Sequence, residues 1–353
     1  MAPKPSFASA LTLSTIALAS KAFLRLTAKS YKVEGLPILL DALKIKHAGK
    51  GKGKAIEGLE IDGDLSQMSR RGIVTVCNHN SVCDDPMMWS MMPLSTYFPF
   101  STPSHTSRNS RWTLGASDIM FTKPLHSKFF NLGQVIETHR GGGIFQPAVD
   151  RAVKLLQDGS WIHIFPEGKV NQEPTNPDGG LFRFKWGIGR IIMDSKVMPE
   201  IIPIWISGFD QILDERRGWP KPIPRPGAKI SITIGQPLTS QIEPLVKAWR
   251  DLANKEIGTV GIGGDWQQEF KKNNDSGEEV LGNMGKVQKE IRRKGELSQG
   301  KEQDVRIKIT ELLQKGISKL GQQVEAKEGR FEKGVWSQST KWNDPIYAGK
   351  GKI

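Results

Sequence analysis

The sequence predicts an α/β domain, with a largely parallel sheet flanked by helices and monotopic association with a membrane. Short β-branched segments alternate with stretches of helical periodicity between residues 72 and 235, which is typical of βαβ units. Polar clusters follow three of these segments, at the strand ends where parallel sheets bind ligands. No run of 18 apolar residues occurs in the 353 residues, which excludes a chain with several membrane spans.

Five strands and two helices can be placed from their residue patterns. The strands are predicted at residues 73–76, 134–138, 161–165, 201–206 and 229–234. One helix is predicted over residues 146–157, where apolar side chains recur every three or four positions. Another is predicted to begin at Met87, with Asp85 as its N-cap and Pro86 in its first turn. These elements predict one main domain over residues 34–250.

The first 33 residues carry five basic side chains and no acidic one. The whole chain has a formal net charge of +13, which favours nucleic acid, anionic lipid surfaces or phosphorylated substrates as partners. Lys21, Arg25, Lys29 and Lys32 are spaced to share one side of a helix. Residues 1–33 are therefore predicted to be a basic segment that lies in a membrane interface or targets mitochondria. An ordinary exposed first helix is the alternative.

The composition changes beyond residue 250. Residues 251–303 are rich in charge and lack sustained periodicity for most of their length, which predicts a disordered insertion. Residues 304–330 recover a helical pattern and are predicted to form an amphipathic helix that packs on the core. Residues 331–353 are predicted to be a tail. Only two cysteines are present, which is too few for a disulfide framework.

The first polar cluster includes His79 and Asp84. A histidine can take a proton from a hydroxyl group when a carboxylate holds its other ring nitrogen. Five residues of regular helix rotate the chain by about 140° past a full turn, so one helix face would not hold both. We therefore predict that both side chains lie in the loop before the helix and meet there. The alternative is a capped helix with an incidental histidine.

The same cluster contains Cys77 and Cys83, so a metal site must be considered. The spacing of these cysteines from His79 and Asp84 matches no familiar zinc pattern. No second pair of ligands stands out in the sequence. No metal and no other cofactor is therefore predicted.

Two more polar clusters follow later strands. Arg140 precedes a run of glycines and could hold a phosphate bidentately, although a glycine-rich turn with a solvated arginine is the alternative. The third cluster consists of Phe165, Pro166, Glu167 and Gly168. Its glutamate is placed either to bind hydroxyl groups or to face solvent in a turn. Because parallel strands end at one edge of a sheet, the three clusters are expected to converge on one crevice.

Basic and aromatic residues interleave downstream of these clusters. Arg183, Lys185 and Arg190 alternate with Phe182, Phe184 and Trp186. This pattern suits a lipid headgroup or nucleic acid, and it suits an ordinary exposed helix equally well.

The motifs resemble those of the glycerophospholipid acyltransferase family. His79 and Asp84 match its H-x4-D signature, residues 165–168 match its FPEG signature, and Arg140 takes the place of the arginine between them. Residues 118–123, 125–130, 161–171 and 181–190 further resemble one branch of the family. The members of that branch are transacylases that remodel mitochondrial cardiolipin without coenzyme A. The resemblance is dense over residues 70–210.

The resemblance implies roles for these residues. His79 would be the general base and Asp84 its orienting partner, while Asn78, Arg140 and residues 165–168 would bind the glycerophosphate headgroup. The implied partners are a phospholipid, a lysophospholipid and an anionic membrane surface that contains cardiolipin. The implied location is a mitochondrial membrane, as a peripheral or monotopic protein that faces the intermembrane space.

Two alternatives to this function remain. An acyl-CoA-dependent lysophospholipid acyltransferase would share the catalytic pair and differ in its donor. Lys169 and Val170 stand where that branch usually has Thr-Arg, which favours the transacylase. The non-enzyme alternative is a basic membrane- or nucleic-acid-binding protein. The complete motif set disfavours it, and no nucleic-acid partner is expected because no RNA or DNA motif is recognisable.

Overall fold

Seven strands form one sheet at the centre of the computed structural model. They are β1 (Ser30–Glu34), β2 (Ile73–Cys77), β3 (Trp112–Ala116), β4 (Val135–Thr138), β5 (Trp161–Ile164), β6 (Glu200–Ser207) and β7 (Lys229–Ile234). The strand order is β1-β7-β6-β2-β5-β3-β4, and neighbours are parallel except β6 and β7. The predicted fold class, a largely parallel sheet flanked by helices, is confirmed. The structure describes residues 6–43, 71–93, 96, 110–176, 179–216, 218, 223–259 and 299–329.

Helices cover both faces of this sheet. They are α1 (Phe7–Thr27), α2 (Leu36–Ala42), α3 (Asp84–Met88), α4 (Ser117–Met120), α5 (Pro124–Leu132), α6 (Pro147–Gln157), α7 (Gly187–Asp194), α8 (Thr239–Thr259) and α9 (Gln299–Lys327). Because successive strand residues point to opposite faces, β2 contributes Val74 and Val76 to one core and Ile73 and Cys77 to the other. Helices α6 to α9 close the first core, and α1 to α3 close the second.

The five predicted strands correspond to β2, β4, β5, β6 and β7, whereas β1 and β3 were missed. β1 is an edge strand whose Lys32 and Glu34 alternate with apolar residues, and it lacks the continuous apolar run of a central strand. β3 contains Gly115 and alternates buried with half-buried residues. Both strands depend on pairing with distant segments, which the local pattern does not report.

The prediction that four basic residues share one side of the first helix is wrong. α1 ends at Thr27, where Ala28 adopts an extended conformation and leads the chain into β1. Lys29 therefore lies beyond the helix and Lys32 lies in a strand. The basic residues do not share one helical side, because pairing of β1 with β7 interrupts the periodicity that their spacing suggested.

α1 packs against the domain along part of its surface. Lys21 Nζ donates to the carbonyl oxygens of Ser90 and Met92 at 2.8 and 2.7 Å, and Leu24 is buried. By length and composition α1 is also a candidate membrane span, a criterion that core helices and signal sequences meet as well. The described contacts make α1 part of the fold of the domain.

Two long helices flank the predicted insertion. α8 extends to Thr259, nine residues into the predicted insertion. α9 begins at Gln299 rather than at residue 304. α9 packs on the sheet through buried Ile309 and Leu313. A Cβ atom at Gly321 would lie 2.5 Å from the indole of Trp205, which explains a glycine inside this helix. Residues 260–298 and 330–353, where the rest of the predicted insertion and the tail fall, lie outside the described residues.

Candidate active site

His79 and Asp84 meet at the carboxyl end of β2, in the middle of the sheet. His79 Nδ1 lies 2.8 Å from Asp84 Oδ2. The prediction that a helix begins at Met87 is wrong, because α3 begins at Asp84 itself. From the first turn of α3, Oδ2 also accepts the backbone N–H groups of Asn80 and Ser81, at 2.5 and 2.8 Å. The helix start therefore folds the intervening loop around the carboxylate.

This arrangement determines which nitrogen of His79 is available. Asp84 is fully buried; burial raises the pKa of its carboxyl group, and the hydrogen bond from His79 opposes that rise. Because Nδ1 faces an acceptor, it carries the proton and leaves the lone pair on Nε2. The His79 side chain is 20% exposed, and no residue in the described part of the chain hydrogen-bonds Nε2. Nε2 is therefore an accessible base.

Aromatic packing holds the His79 ring in place. Phe165 stacks on it, with centroids 4.3 Å apart and planes at 22°. His163 contacts Phe165 edge-on at 4.5 Å, and its Nδ1 lies 2.8 Å from Thr75 Oγ1. Burial lowers the pKa of His163 to about 3, so this second ring is neutral. Phe165, predicted as a substrate contact, packs against the imidazole.

Glu167 links the loop after β5 to the backbone of His79. Its Oε1 accepts the His79 N–H at 2.9 Å, and its Oε2 accepts the Phe182 N–H at 2.8 Å and Asn171 Nδ2 at 2.5 Å. The Asn171 N–H in turn donates to the His79 carbonyl at 2.7 Å. Burial raises the pKa of Glu167 to about 7, and these hydrogen bonds oppose the rise. Both oxygens accept hydrogen bonds within the protein, and one of these bonds holds the backbone of His79.

Asn78 is also directed inward. It is 1% exposed, its Oδ1 accepts the Ile206 N–H at 2.9 Å, and its Nδ2 donates to the Ile206 carbonyl at 2.9 Å. The side-chain amide thus takes the place of a peptide group and extends the contact between β2 and β6. Asn78 fixes the point at which the His79 loop leaves the sheet.

Arg140 lies far from this pair. It follows β4 at the sheet edge, three strands from β2, which corresponds to roughly 14 Å across the sheet. Its side chain is 49% exposed and forms an ion pair with Asp118 at 3.3 Å. The structure therefore does not bring Arg140 beside His79.

Two exposed lysines lie beside the FPEG turn. Gly168 has a φ of +71°, which favours glycine, and the Lys185 N–H donates to the Pro166 carbonyl at 2.8 Å. A Cβ atom at Gly168 would lie 3.3 Å from Lys185 Cγ, so the stem of Lys185 crosses this glycine. Lys169 Nζ lies over the Phe182 ring at 3.9 Å. Positive charge therefore flanks the turn that holds His79.

The basic and aromatic pattern downstream divides between surface and core. Phe182 and Phe184 are buried, whereas Arg183 and Lys185 are exposed. Arg190 is buried in α7 and pairs with Asp150 and Asp194.

A buried ion pair near the site was missed by sequence reasoning. Asp85, predicted as an N-cap, instead accepts Arg111 Nε at 3.0 Å, a second bond from Arg111 Nη2, and Trp89 Nε1 at 3.1 Å. Burial acts to raise the pKa of Asp85, but Arg111 holds it below its ordinary value. Arg111 also donates to the Gly133 carbonyl at 2.9 Å. The pair ties α3 to the strands beside it, and no local motif marks Arg111.

Other potential nucleophiles near the pair are unsuitable. Cys77 and Cys83 are buried; burial raises the pKa of both thiols, that of Cys83 to about 12. Ser81 donates its hydroxyl to the Leu213 carbonyl at 3.1 Å. Within the described residues, no group of three or more His, Cys, Asp or Glu side chains could hold a metal ion. Among the residues that the structure describes, the pair is therefore a base without a neighbouring activated nucleophile.

Comparisons with known proteins show what this domain is similar to. Residues 59–207 match the family model described as Acyltransferase. The chain is similar to the tafazzins. A tafazzin from Drosophila melanogaster is 40% identical over 47% of this chain and 40% of its own length. A protein named taffazin from Dictyostelium discoideum is 36% identical over 51% of this chain and 59% of its own length.

Two further similarities accompany these. An N-acylphosphatidylethanolamine synthase from Arabidopsis thaliana is 36% identical over 50% of this chain and 58% of its own length. The crystal structure of a 1-acyl-sn-glycerophosphate acyltransferase from Thermotoga maritima has a TM-score of 0.41 and 17% identity, over 72% of this chain and 81% of that one. The matched segment thus spans between 40% and 59% of these curated relatives.

The burial of Glu167 makes a prediction about pH. In the unfolded chain the Glu167 carboxyl group loses its proton above its ordinary pKa of 4.5, whereas in the folded protein it keeps the proton until about pH 7. Because the folded state then binds more protons, this group lowers stability as pH rises through that window. Relative to Glu167→Gln, wild-type stability should fall by up to about 3 kcal/mol between these pH values.

Denaturant unfolding at several pH values measures this difference. Glu173→Gln, at an exposed glutamate on the same loop, is the matched control. A wild-type stability that stays constant relative to Glu167→Gln across the window would contradict the account.

Proposed function

We propose that this protein is a CoA-independent phospholipid–lysophospholipid transacylase that remodels the acyl chains of cardiolipin. The observation that carries the proposal is the His79–Asp84 pair, in which the carboxylate holds Nδ1 and leaves Nε2 accessible. The acyltransferase domain and the similarity to tafazzins support the same reaction class. The substrates, donor and location below are parts of this proposal.

The reaction begins with removal of a proton. His79 Nε2 takes it from the free hydroxyl of a lysophospholipid, and the resulting alkoxide attacks an acyl ester carbonyl of a second phospholipid. Asp84 stabilises the imidazolium that forms. The tetrahedral intermediate breaks the original ester bond, and His79 gives the proton to the departing alkoxide oxygen, which becomes the free hydroxyl of the new lysophospholipid. One ester is formed and one is broken, so the reaction runs in both directions.

The surroundings of the pair favour direct transfer over an acyl-enzyme. An acyl-enzyme needs a side-chain nucleophile activated by the base. The nearby thiols stay protonated because burial raises their pKa, and the Ser81 hydroxyl is bonded to Leu213. The lipid hydroxyl is therefore the nucleophile that His79 activates.

Lys185 and Lys169 are the proposed contacts for the headgroup phosphate. Both are exposed and flank Gly168, next to the residue that bonds the His79 backbone. Arg140, about three strands away, is proposed to contact a more distant phosphate of a large substrate or the membrane surface. Glu167 and Asn78 act through His79, because their polar atoms are engaged inside the protein.

The proposed location is a mitochondrial membrane, with the protein facing the intermembrane space. The acid-free N-terminal sequence and the similarity to tafazzins support this location. α1 is packed against the domain through Lys21 and Leu24. We therefore propose that α1 stays part of the folded protein and that its exposed side faces the membrane.

Two other acyl transfers use the same pair. In the first, acyl-CoA replaces the phospholipid donor. In the second, the acceptor is the amine of phosphatidylethanolamine, as the name of the Arabidopsis relative suggests. The base at Nε2 can take a proton from a hydroxyl or from an ammonium group. The lipid that receives the acyl chain therefore distinguishes transacylation from N-acylation.

We expect purified protein to transfer label from acyl-labelled phosphatidylcholine to lysocardiolipin in liposomes without coenzyme A. His79→Ala should reduce transfer by at least about a thousandfold, because no other described base replaces Nε2. Asp84→Asn should reduce it similarly, by disturbing the tautomer. Mass spectrometry of the lipids measures the products.

His139→Ala is the matched control, because His139 is an exposed histidine after β4. Transfer that requires acyl-CoA would instead support the CoA-dependent reaction. Label on the nitrogen of phosphatidylethanolamine would support N-acylation. Folded protein that binds lipid but transfers nothing under any of these conditions would support the non-enzyme alternative.

The proposed phosphate contact predicts a change in substrate affinity. Lys185→Glu should raise KM for the lysophospholipid by about tenfold or more, with a smaller effect on kcat, because it replaces attraction of a phosphate by repulsion. Lys196→Glu is the control, at an exposed lysine just after α7. An unchanged KM in Lys185→Glu would remove this residue from headgroup binding.

A further inference from the structure

Large apolar side chains are exposed on the segment that follows β3. Ile119, Leu125 and Phe129 are 57%, 76% and 48% exposed. None of the nine residues of α5 is buried. Leu125 and Phe129 are four positions apart and share one face of this helix. An apolar surface of this kind is typical of an interaction site.

Positive charge surrounds this surface. Lys123 and Lys128 are exposed on either side of Leu125. Residues 117–132 contain one acidic residue, Asp118, and its charge is paired with Arg140. An apolar face flanked by lysines is typical of helices that lie in the interface of an anionic bilayer. We call residues 117–132, with these side chains, the α4–α5 surface.

α1 contacts the end of α5 and also exposes large apolar side chains. Ser9 Oγ donates to the Leu132 carbonyl at 2.5 Å, which joins the two helices. Three serines of α1, at positions 9, 14 and 20, are buried together with Ala10, Ala17 and Leu24, whereas Phe7, Leu11 and Leu26 are 63%, 55% and 84% exposed. Large apolar side chains that face outward fit lipid better than water.

The α4–α5 surface begins at the edge of the sheet where His79 is found. α4 begins directly after β3, and His79 follows β2. Both strands are parallel to β5, so both end at the same edge. A bilayer in contact with α4 and the start of α5 therefore lies near the edge of the sheet where the proposed active site is located.

From these observations we propose that the α4–α5 surface is a second membrane-docking element, beside α1. Leu125, Phe129 and Ile119 enter the headgroup and acyl boundary of an anionic bilayer, and Lys123 and Lys128 bind its lipid phosphates. The inference rests on the proposed function only for the source of the substrate, which is the bilayer itself. Docking does not require turnover.

Cosedimentation with vesicles of phosphatidylcholine and phosphatidylglycerol tests this proposal. The double variant Leu125→Ser/Phe129→Ser should bind at least about tenfold more weakly, because two apolar side chains no longer enter the bilayer. Lys123→Glu and Lys128→Glu should each weaken binding about fivefold or more, and high salt should reduce that effect. Ile223→Ser, at an exposed apolar residue before β7, should bind like the wild type.

His79→Ala is measured in the same assay and should bind vesicles normally. Loss of transfer in that variant is thereby separated from loss of docking. Wild-type binding by the double variant, or equal weakening by Ile223→Ser, would overturn the proposal.

A site-specific probe provides the second measurement. Cys77 and Cys83 are buried, so an environment-sensitive fluorophore can be attached to Phe129→Cys, with Ile223→Cys as the control. Vesicles should shift the emission of the probe at residue 129 to the blue and leave that at residue 223 unchanged. An unshifted probe at residue 129, or a shift that follows protein concentration without vesicles and so reports a second copy, would overturn the proposal.

Discussion

Three hydrogen-bond donors converge on a single oxygen of Asp84, and the candidate site depends on that convergence. Two are the backbone N–H groups of Asn80 and Ser81, and the third is Nδ1 of His79. The backbone donors fold the loop and start α3, while the ring donor sets the tautomer. Because the carboxylate is fully buried, loss of any donor would leave it less well compensated. Asp84 Oδ2 thus both fixes the fold of the loop and orients the proposed base.

The sheet places a second support beneath the same histidine. β2 and β5 are adjacent and parallel, so the loops that follow them leave the sheet side by side. Glu167 and Asn171 bond the N–H and the carbonyl of His79, and Phe165 stacks on its ring. His79 is therefore held through its backbone, its ring face and Nδ1, and Nε2 stays accessible. This rigid presentation suits the proposed role of His79 as a general base.

Much of this arrangement could be predicted from the sequence. Central strands such as β2 are buried on both faces, and their continuous apolar runs made them recognisable. The spacing of His79 and Asp84 excluded one helix face, and the side chains do meet, although Asp84 lies in the first turn of α3 rather than in the loop before it. The motif resemblance implied their roles. The placement of the clusters after parallel strands indicated that they lie at one sheet edge.

Other features depend on contacts between residues distant in sequence. The ion pair of Asp85 and Arg111 joins segments 26 residues apart, and nothing near either residue reports the other. The inward direction of Glu167 depends on N–H groups of His79 and Phe182, which only the folded loops bring together. Arg140 was expected at the site, but the sequence does not reveal that β3 separates β4 from β5. Strand order, rather than strand identity, was the missing information.

The tautomer of His79 shows whether Asp84 holds Nδ1 and leaves Nε2 as the base. Proton and nitrogen NMR of histidine-labelled protein, assigned with His79→Ala, reports which ring nitrogen carries the proton when the ring is neutral. We expect a proton on Nδ1, a bare Nε2, and a change in the His79 signals in Asp84→Asn. A proton on Nε2 in the wild type, or His79 signals that are the same in Asp84→Asn, would contradict this expectation.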